Sequence, residues 1–184
     1  MHASLRLVIT ALIGVAALAA CSKPEASSDV AAVGDDPCSI VSKDEVRAAF
    51  PGAEAGKRNH TMDQYGMASC TWELPTSTLA VQIFESTNSA GEEVRGRMLG
   101  FLDPLQPGLR DRIQYDTITG LGDEAVAVAV KADQAQGILA DTAMLGMRKG
   151  ALMAVLFTST LVDGDPAASK QALQKLGGNA APRL

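Results

Sequence analysis

From Leu7 to Ala20 the chain carries no charged residue, and Arg6 precedes the run. Such a stretch is too short to cross a bilayer as a stable helix and has the length of a signal-peptide core, so residues 1–20 are expected to be a signal peptide. Ser22 to Asp36 reverses the pattern, with small and polar residues and no periodic apolar positions, which predicts a flexible tether over 21–36. Periodicity resumes at Val41. Ser42 and Glu45 form a capping box, Val41 and Val46 stand at staple positions, and Val46, Ala49 and Phe50 share a face, predicting a helix over 43–50 that Pro51-Gly52 ends. Residues 53–68 are polar and carry no clear element. Ser69 to Leu74 and Thr78 to Ser86, the latter alternating Leu79, Val81 and Ile83, predict a hairpin around Pro75-Thr76-Ser77.

A second capping box, Ser89 to Glu92, precedes Val94, Met98, Phe101 and Leu102 at helical spacing, and the helix is expected to stop near Asp103-Pro104. Glu93 and Arg97, one turn apart on it, read as a solvated pair. Strands are predicted over 113–118, 125–131, 142–149 and 151–158, the last two joined tightly at Lys149-Gly150. The final strand is apolar on both sides and should lie centrally in the sheet. Met144 and Met147 should point to opposite faces as core filling. Asp165 as cap and Pro166 at the first helical position start a last helix with a stripe of Ala168, Ala172, Leu173 and Leu176. Gly177-Gly178 is expected to end it, leaving 179–184 as a tail. This order predicts one α+β domain over 37–178, built on a mostly antiparallel sheet with about three helices.

Composition adds what the pattern leaves open. At 47% hydrophobic and 20% charged residues the chain reads as globular. Removal of the signal leaves 15 basic against 21 acidic residues, a net charge near minus six, which disfavours nucleic acid as a partner. Leu18-Ala19-Ala20-Cys21 resembles the lipobox of bacterial lipoproteins. The resemblance implies cleavage before Cys21 and diacylglycerol on its thiol, so that two or three acyl chains, at about 0.8 kcal/mol per buried CH2, hold the chain end in a membrane. Ser22 lacks the aspartate that signals inner-membrane retention in Gram-negative lipoproteins. The resemblance thus implies an exported protein at the cell membrane or outer membrane, its domain periplasmic if the cell is Gram-negative.

With Cys21 acylated, Cys38 and Cys70 remain, in a compartment where a disulfide can form and persist. Two free thiols, or a metal pair completed by His60, are the alternatives. Asp36-Pro37-Cys38-Ser39-Ile40-Val41, Glu45-Val46 and Cys70-Thr71-Trp72 resemble motifs of a family of uncharacterised bacterial lipoproteins. Gly120-Leu121-Gly122-Asp123-Glu124-Ala125 looks like a turn before a strand in the same proteins and in extracytoplasmic sensor domains. What the resemblance implies is a disulfide between Cys38 and Cys70 and a compact α+β fold; it carries no reaction.

Three groups of residues could carry chemistry. Asp111, Asp116, Asp123 and Glu124 are close enough in sequence to suggest a carboxylate pair, against the reading of solvated turn residues. His60, Met62 and Met67 form a candidate soft-metal or ligand loop through imidazole and thioether. Gly120-x-Gly122 precedes a strand, so it lacks the helix N-terminus of a phosphate cradle, and a turn needing positive φ accounts for it better. There is no G-x-S-x-G elbow or C-x-x-C pair, and no cofactor is implied. The expectation is a lipid-anchored envelope module, non-enzymatic, that binds a protein or small ligand, with an acidic-residue hydrolase or a purely structural lipoprotein as the alternatives.

Overall fold

Asp36 begins the described chain by accepting a hydrogen bond from the Cys38 amide at 3.1 Å, while Pro37 opens a 3-10 turn, Pro37–Ser39. A computed structural model describes residues 36–86, 93–102, 113–161 and 164–184. The segment expected to be a signal peptide, Cys21, the expected tether up to residue 35, Asp111 and the Ser89–Glu92 capping box lie outside the described residues. Cys38 is disulfide-bonded to Cys70, with Cα atoms 5.1 Å apart.

Helix α1 (Lys43–Ala49) has the predicted capping box: the Ser42 amide donates to Glu45 Oε2 at 2.7 Å and the Glu45 amide to Ser42 Oγ at 3.3 Å. Strands β1 (Lys57–Arg58), β2 (Met67–Glu73), β3 (Thr78–Glu85), β4 (Asp116–Thr117), β5 (Glu124–Val130), β6 (Asp141–Lys149) and β7 (Leu152–Thr160) form one sheet in the order β1-β2-β3-β7-β6-β5-β4. Every pairing is antiparallel. The doubly apolar strand, β7, is central as expected. Helices α2 (Glu93–Leu102) and α3 (Pro166–Ala180) complete the α+β domain.

The register sorts side chains onto two faces. On the first, Trp72, Cys70, Val81, Leu145, Met147 and Leu156 pack under α1 and α3. On the second, Phe84, Met144, Met153, Val155 and the β5 valines pack under Val94, Met98 and Leu102 of α2. Met144 and Met147 thus serve opposite cores. Both helices approach β6 through a glycine. A Cβ on Gly146 would stand 2.5 Å from Val94 Cγ1 and 2.7 Å from Met98 Sδ, and one on Gly177 would run into Leu145 Cδ2.

That contact corrects the expected end of the last helix. Gly177-Gly178 does not stop α3, which continues to Ala180 because Gly177 lets the helix lie close on Leu145. Residues 179–184 are correspondingly no tail. Ala180 and Ala181 are buried, and Arg183 donates to Glu45 through both terminal nitrogens at 2.7 and 2.8 Å and to the Ile40 carbonyl at 3.0 Å. The Lys149 ammonium donates to the Ala181 and Pro182 carbonyls, satisfying acceptors that the helix end leaves open.

Two further expectations change. The strand predicted over 113–118 shrinks to Asp116–Thr117, with the Ile118 amide still donating to the Ala125 carbonyl at 2.9 Å, while Ile113 and Tyr115 pack against the second core. The featureless 53–68 segment contains β1 and a 3-10 turn, His60–Tyr65, capped by Asn59.

Candidate functional site

The Gly120-Leu121-Gly122 turn is where the sheet end becomes chemically distinctive. Gly120 and Gly122 adopt φ of 81° and 72°, and a Cβ on Gly122 would collide with the Arg148 carbonyl oxygen. The turn therefore sits flat on the β6–β7 hairpin. There the Asp123 amide donates to that same carbonyl at 2.8 Å, and Asp123 Oδ2 accepts from the Gly150 amide at 2.7 Å.

Pinning Asp123 sets the register of β5, and Glu124 falls opposite Arg148. Arg148 Nε and Glu124 Oε2 lie 3.8 Å apart, with side chains 14% and 13% exposed. That is ion-pair distance without a hydrogen bond, and both atoms are buried with no hydrogen-bond partner. Arg95 enters from α2 with its guanidinium carbon 5.2 Å from the centre of the Tyr115 ring, and its buried Nε likewise makes no hydrogen bond. Arg95, Thr117, Thr119, Gly120, Asp123 and Glu124 line a depression of about 350 Å³ between α2 and the β4–β5 connection.

Of the acidic residues grouped by the sequence, Asp116 stands apart from Asp123 and Glu124. Asp116 pairs with Lys170 on α3, on the first face, whereas Glu124 shares the second face with Arg148 and Val126. Asp123 is engaged by the hairpin amide. An acid–base pair of Asp116 and Glu124 would have to act through the sheet, so this grouping is corrected: strand alternation sends sequence neighbours to opposite faces. Asp123 and Glu124 both line the depression, Asp123 with Oδ2 taken by the Gly150 amide, and Asp116 does not.

The His60 loop separates in the same way. His60, 74% exposed, places Nδ1 3.0 Å from Asp63 Oδ2, and Arg58 donates to Asp63 at 3.2 Å. The bond to His60, reinforced by Arg58, holds the Asp63 carboxyl below its ordinary range despite some desolvation. Met62 lies in the 3-10 turn, while Met67 begins β2 and packs on the second core. Among the described residues no group of three or more His, Cys, Asp or Glu side chains is arranged to hold a metal ion.

Two other carboxylates are structural. Burial pushes the Asp141 carboxyl up, but donors from the Ala132 amide at 2.6 Å, Lys131 at 2.8 Å and the Gly164 amide at 2.7 Å outweigh it and leave it lowered. Glu45 is held down to about 2, chiefly by the Arg183 guanidinium. Sequence reasoning found Glu124 but missed Arg95 and Arg148. The available signal was that Glu124 and Arg148 stand at the start and end of two strands that a short register makes neighbours.

The fold and this site define an α+β domain with one antiparallel sheet and a polar depression at its β4–β5 end. Compared with known proteins, the chain matches no family model, no curated sequence and no solved structure.

Proposed function

We propose that this protein is an exported lipoprotein, acylated at Cys21 and held at the cell envelope, whose domain is a non-enzymatic module that binds a ligand in the depression beside Glu124. Cysteine pairing supports this reading most directly. The chain has three cysteines, and the disulfide between Cys38 and Cys70 leaves Cys21, inside the lipobox-like motif, as the one available for an acyl group. The divergence of Asp116 and Glu124 weighs for binding and against a hydrolase built on that acidic group. Asp36, the first described residue, follows Cys21 by 15 positions, and that length of chain, fully extended, would span up to about 50 Å between anchor and domain.

Metabolic labelling with a palmitate analogue is the test. Label on the wild type and its loss in Cys21→Ala are expected; label retained in the variant overturns the anchor. Extracts treated with an alkylating reagent should show Cys38 and Cys70 protected.

A further inference from the structure

Resting on the binding reading above, we propose that the depression takes a small zwitterion, a free amino acid or a dipeptide, with its ammonium at Glu124 and its carboxylate at Arg95.

Charge placement selects the class of ligand. The sheet contributes a carboxylate, Glu124, and α2 contributes a guanidinium, Arg95, to the same cavity. A phosphate or other bare anion would meet Glu124 and Asp123; a bare cation would meet Arg95. A ligand bearing both charges meets each with its opposite.

The second step is unmet hydrogen-bonding capacity. Glu124 Oε2 and Arg95 Nε are buried atoms without a hydrogen-bond partner, one an acceptor and one a donor. An ammonium supplies the donor that Glu124 needs, and a carboxylate supplies the acceptor for Arg95. Both atoms are covered in the free protein, so each side chain turns toward the cavity to receive its partner. Arg95 is laid on the Tyr115 ring and Arg148 stands 3.8 Å from Glu124, contacts that keep both charged groups beside the cavity.

The third step is size and rim. A volume of about 350 Å³ lies at the small end of ligand sites and suits a molecule of amino-acid or dipeptide dimensions. The Thr117 and Thr119 side chains add hydroxyls, and Gly120, with no heavy atom within 4 Å of where a Cβ would stand, leaves its side of the rim open.

The test is calorimetric titration of the mature acylated protein in detergent micelles with L-alanine and, separately, L-alanyl-L-alanine. N-acetyl-L-alanine and L-alaninamide, each lacking one charge, serve as controls. We expect saturable binding of at least one zwitterion, weakened by about tenfold or more in either control and in Glu124→Gln or Arg95→Gln, as for loss of one charge-assisted hydrogen bond. The two zwitterions separate a free amino acid from a peptide source. Thermal unfolding verifies that the variants fold. Thr119→Val, on the exposed rim, removes a polar contact without touching either charge and should weaken binding severalfold. No saturable heat from either zwitterion, equal binding of the single-charge controls, or undiminished binding in both charge variants overturns the proposal. Amide shifts separate its failure from failure of the binding reading. Envelope extract that shifts Gly120 and Gly122 without either zwitterion doing so overturns only the ligand class; no shift from any addition overturns both.

Discussion

The two faces of the sheet are closed by different means. The first is stapled: a disulfide ties Pro37–Ser39 to β2, an Arg183–Glu45 fork ties the C-terminal turn to α1, and Lys149 holds the carbonyls beyond α3. The second is held among the described residues by apolar volume, with α2 resting on Gly146 through Val94 and Met98. The unmet polar atoms Glu124 Oε2 and Arg95 Nε belong to the second face. On the first face specific bonds close the margin; on the second, where packing rules, polar groups at the margin can be left for a ligand.

The strongest challenge to the first face is Trp72→Ala. Trp72 is 1% exposed, and Gly56 lies so close that a Cβ there would be 2.6 Å from the indole. The loss expected is about 3–5 kcal/mol, read by urea denaturation. Replacing both Cys38 and Cys70 by alanine removes a loop constraint across a separation of 32 residues and should lower stability by about 3–4 kcal/mol in the chain-entropy account. A smaller loss would mean that the Arg183 fork holds the N-terminal segment without the covalent bond.

Gly146→Ala probes the second face. Overpacking against Val94 and Met98 should cost about 1–3 kcal/mol and raise hydrogen exchange in α2 before α1 or α3, the reverse of what disulfide removal does. A uniform rise in all three helices would contradict the separation of the faces.

Glu45 gives the first face a pH signature. Its folded-state carboxyl is held near 2 against an ordinary 4.5, so the stabilisation is complete above about pH 4.5 and is lost as pH falls toward 2. Arg183 is 42% exposed, so screening limits the effect to about 1–2 kcal/mol. Unfolding midpoints between pH 2 and 6 should lose this slope in Glu45→Gln. Smallest is His60→Ala: the residue lies outside both cores, and the change should stay within about 0.5 kcal/mol.

How much was legible follows from how local each signal is. The Ser42–Glu45 box, the Asp165-Pro166 start, the Pro75 hairpin and the central place of β7 were readable because each depends on neighbours within a few residues or on a periodicity of two. The Cys38–Cys70 bond was implied by motif resemblance and is present. Gly177-Gly178 misled because a glycine pair reads as a stop, whereas here a glycine admits a close neighbour, Leu145, that is distant in sequence. At the candidate site Glu124 was legible as an acidic residue, but its grouping with Asp116 was not sound, since only pairing registers reveal which face each occupies.

By itself the sequence determined the starts of α1 and α3, the turns at Gly120-Leu121-Gly122 and Lys149-Gly150, the central strand and the α+β class, because capping hydrogen bonds, positive-φ glycines and alternating apolarity act over a turn or a strand. The tertiary structure alone decided the Arg183–Glu45 fork across 138 residues, the continuation of α3, and the meeting of Arg95, Glu124 and Arg148 at one end of the sheet. Those outcomes depend on strand order and register, which bring together groups that no local pattern connects.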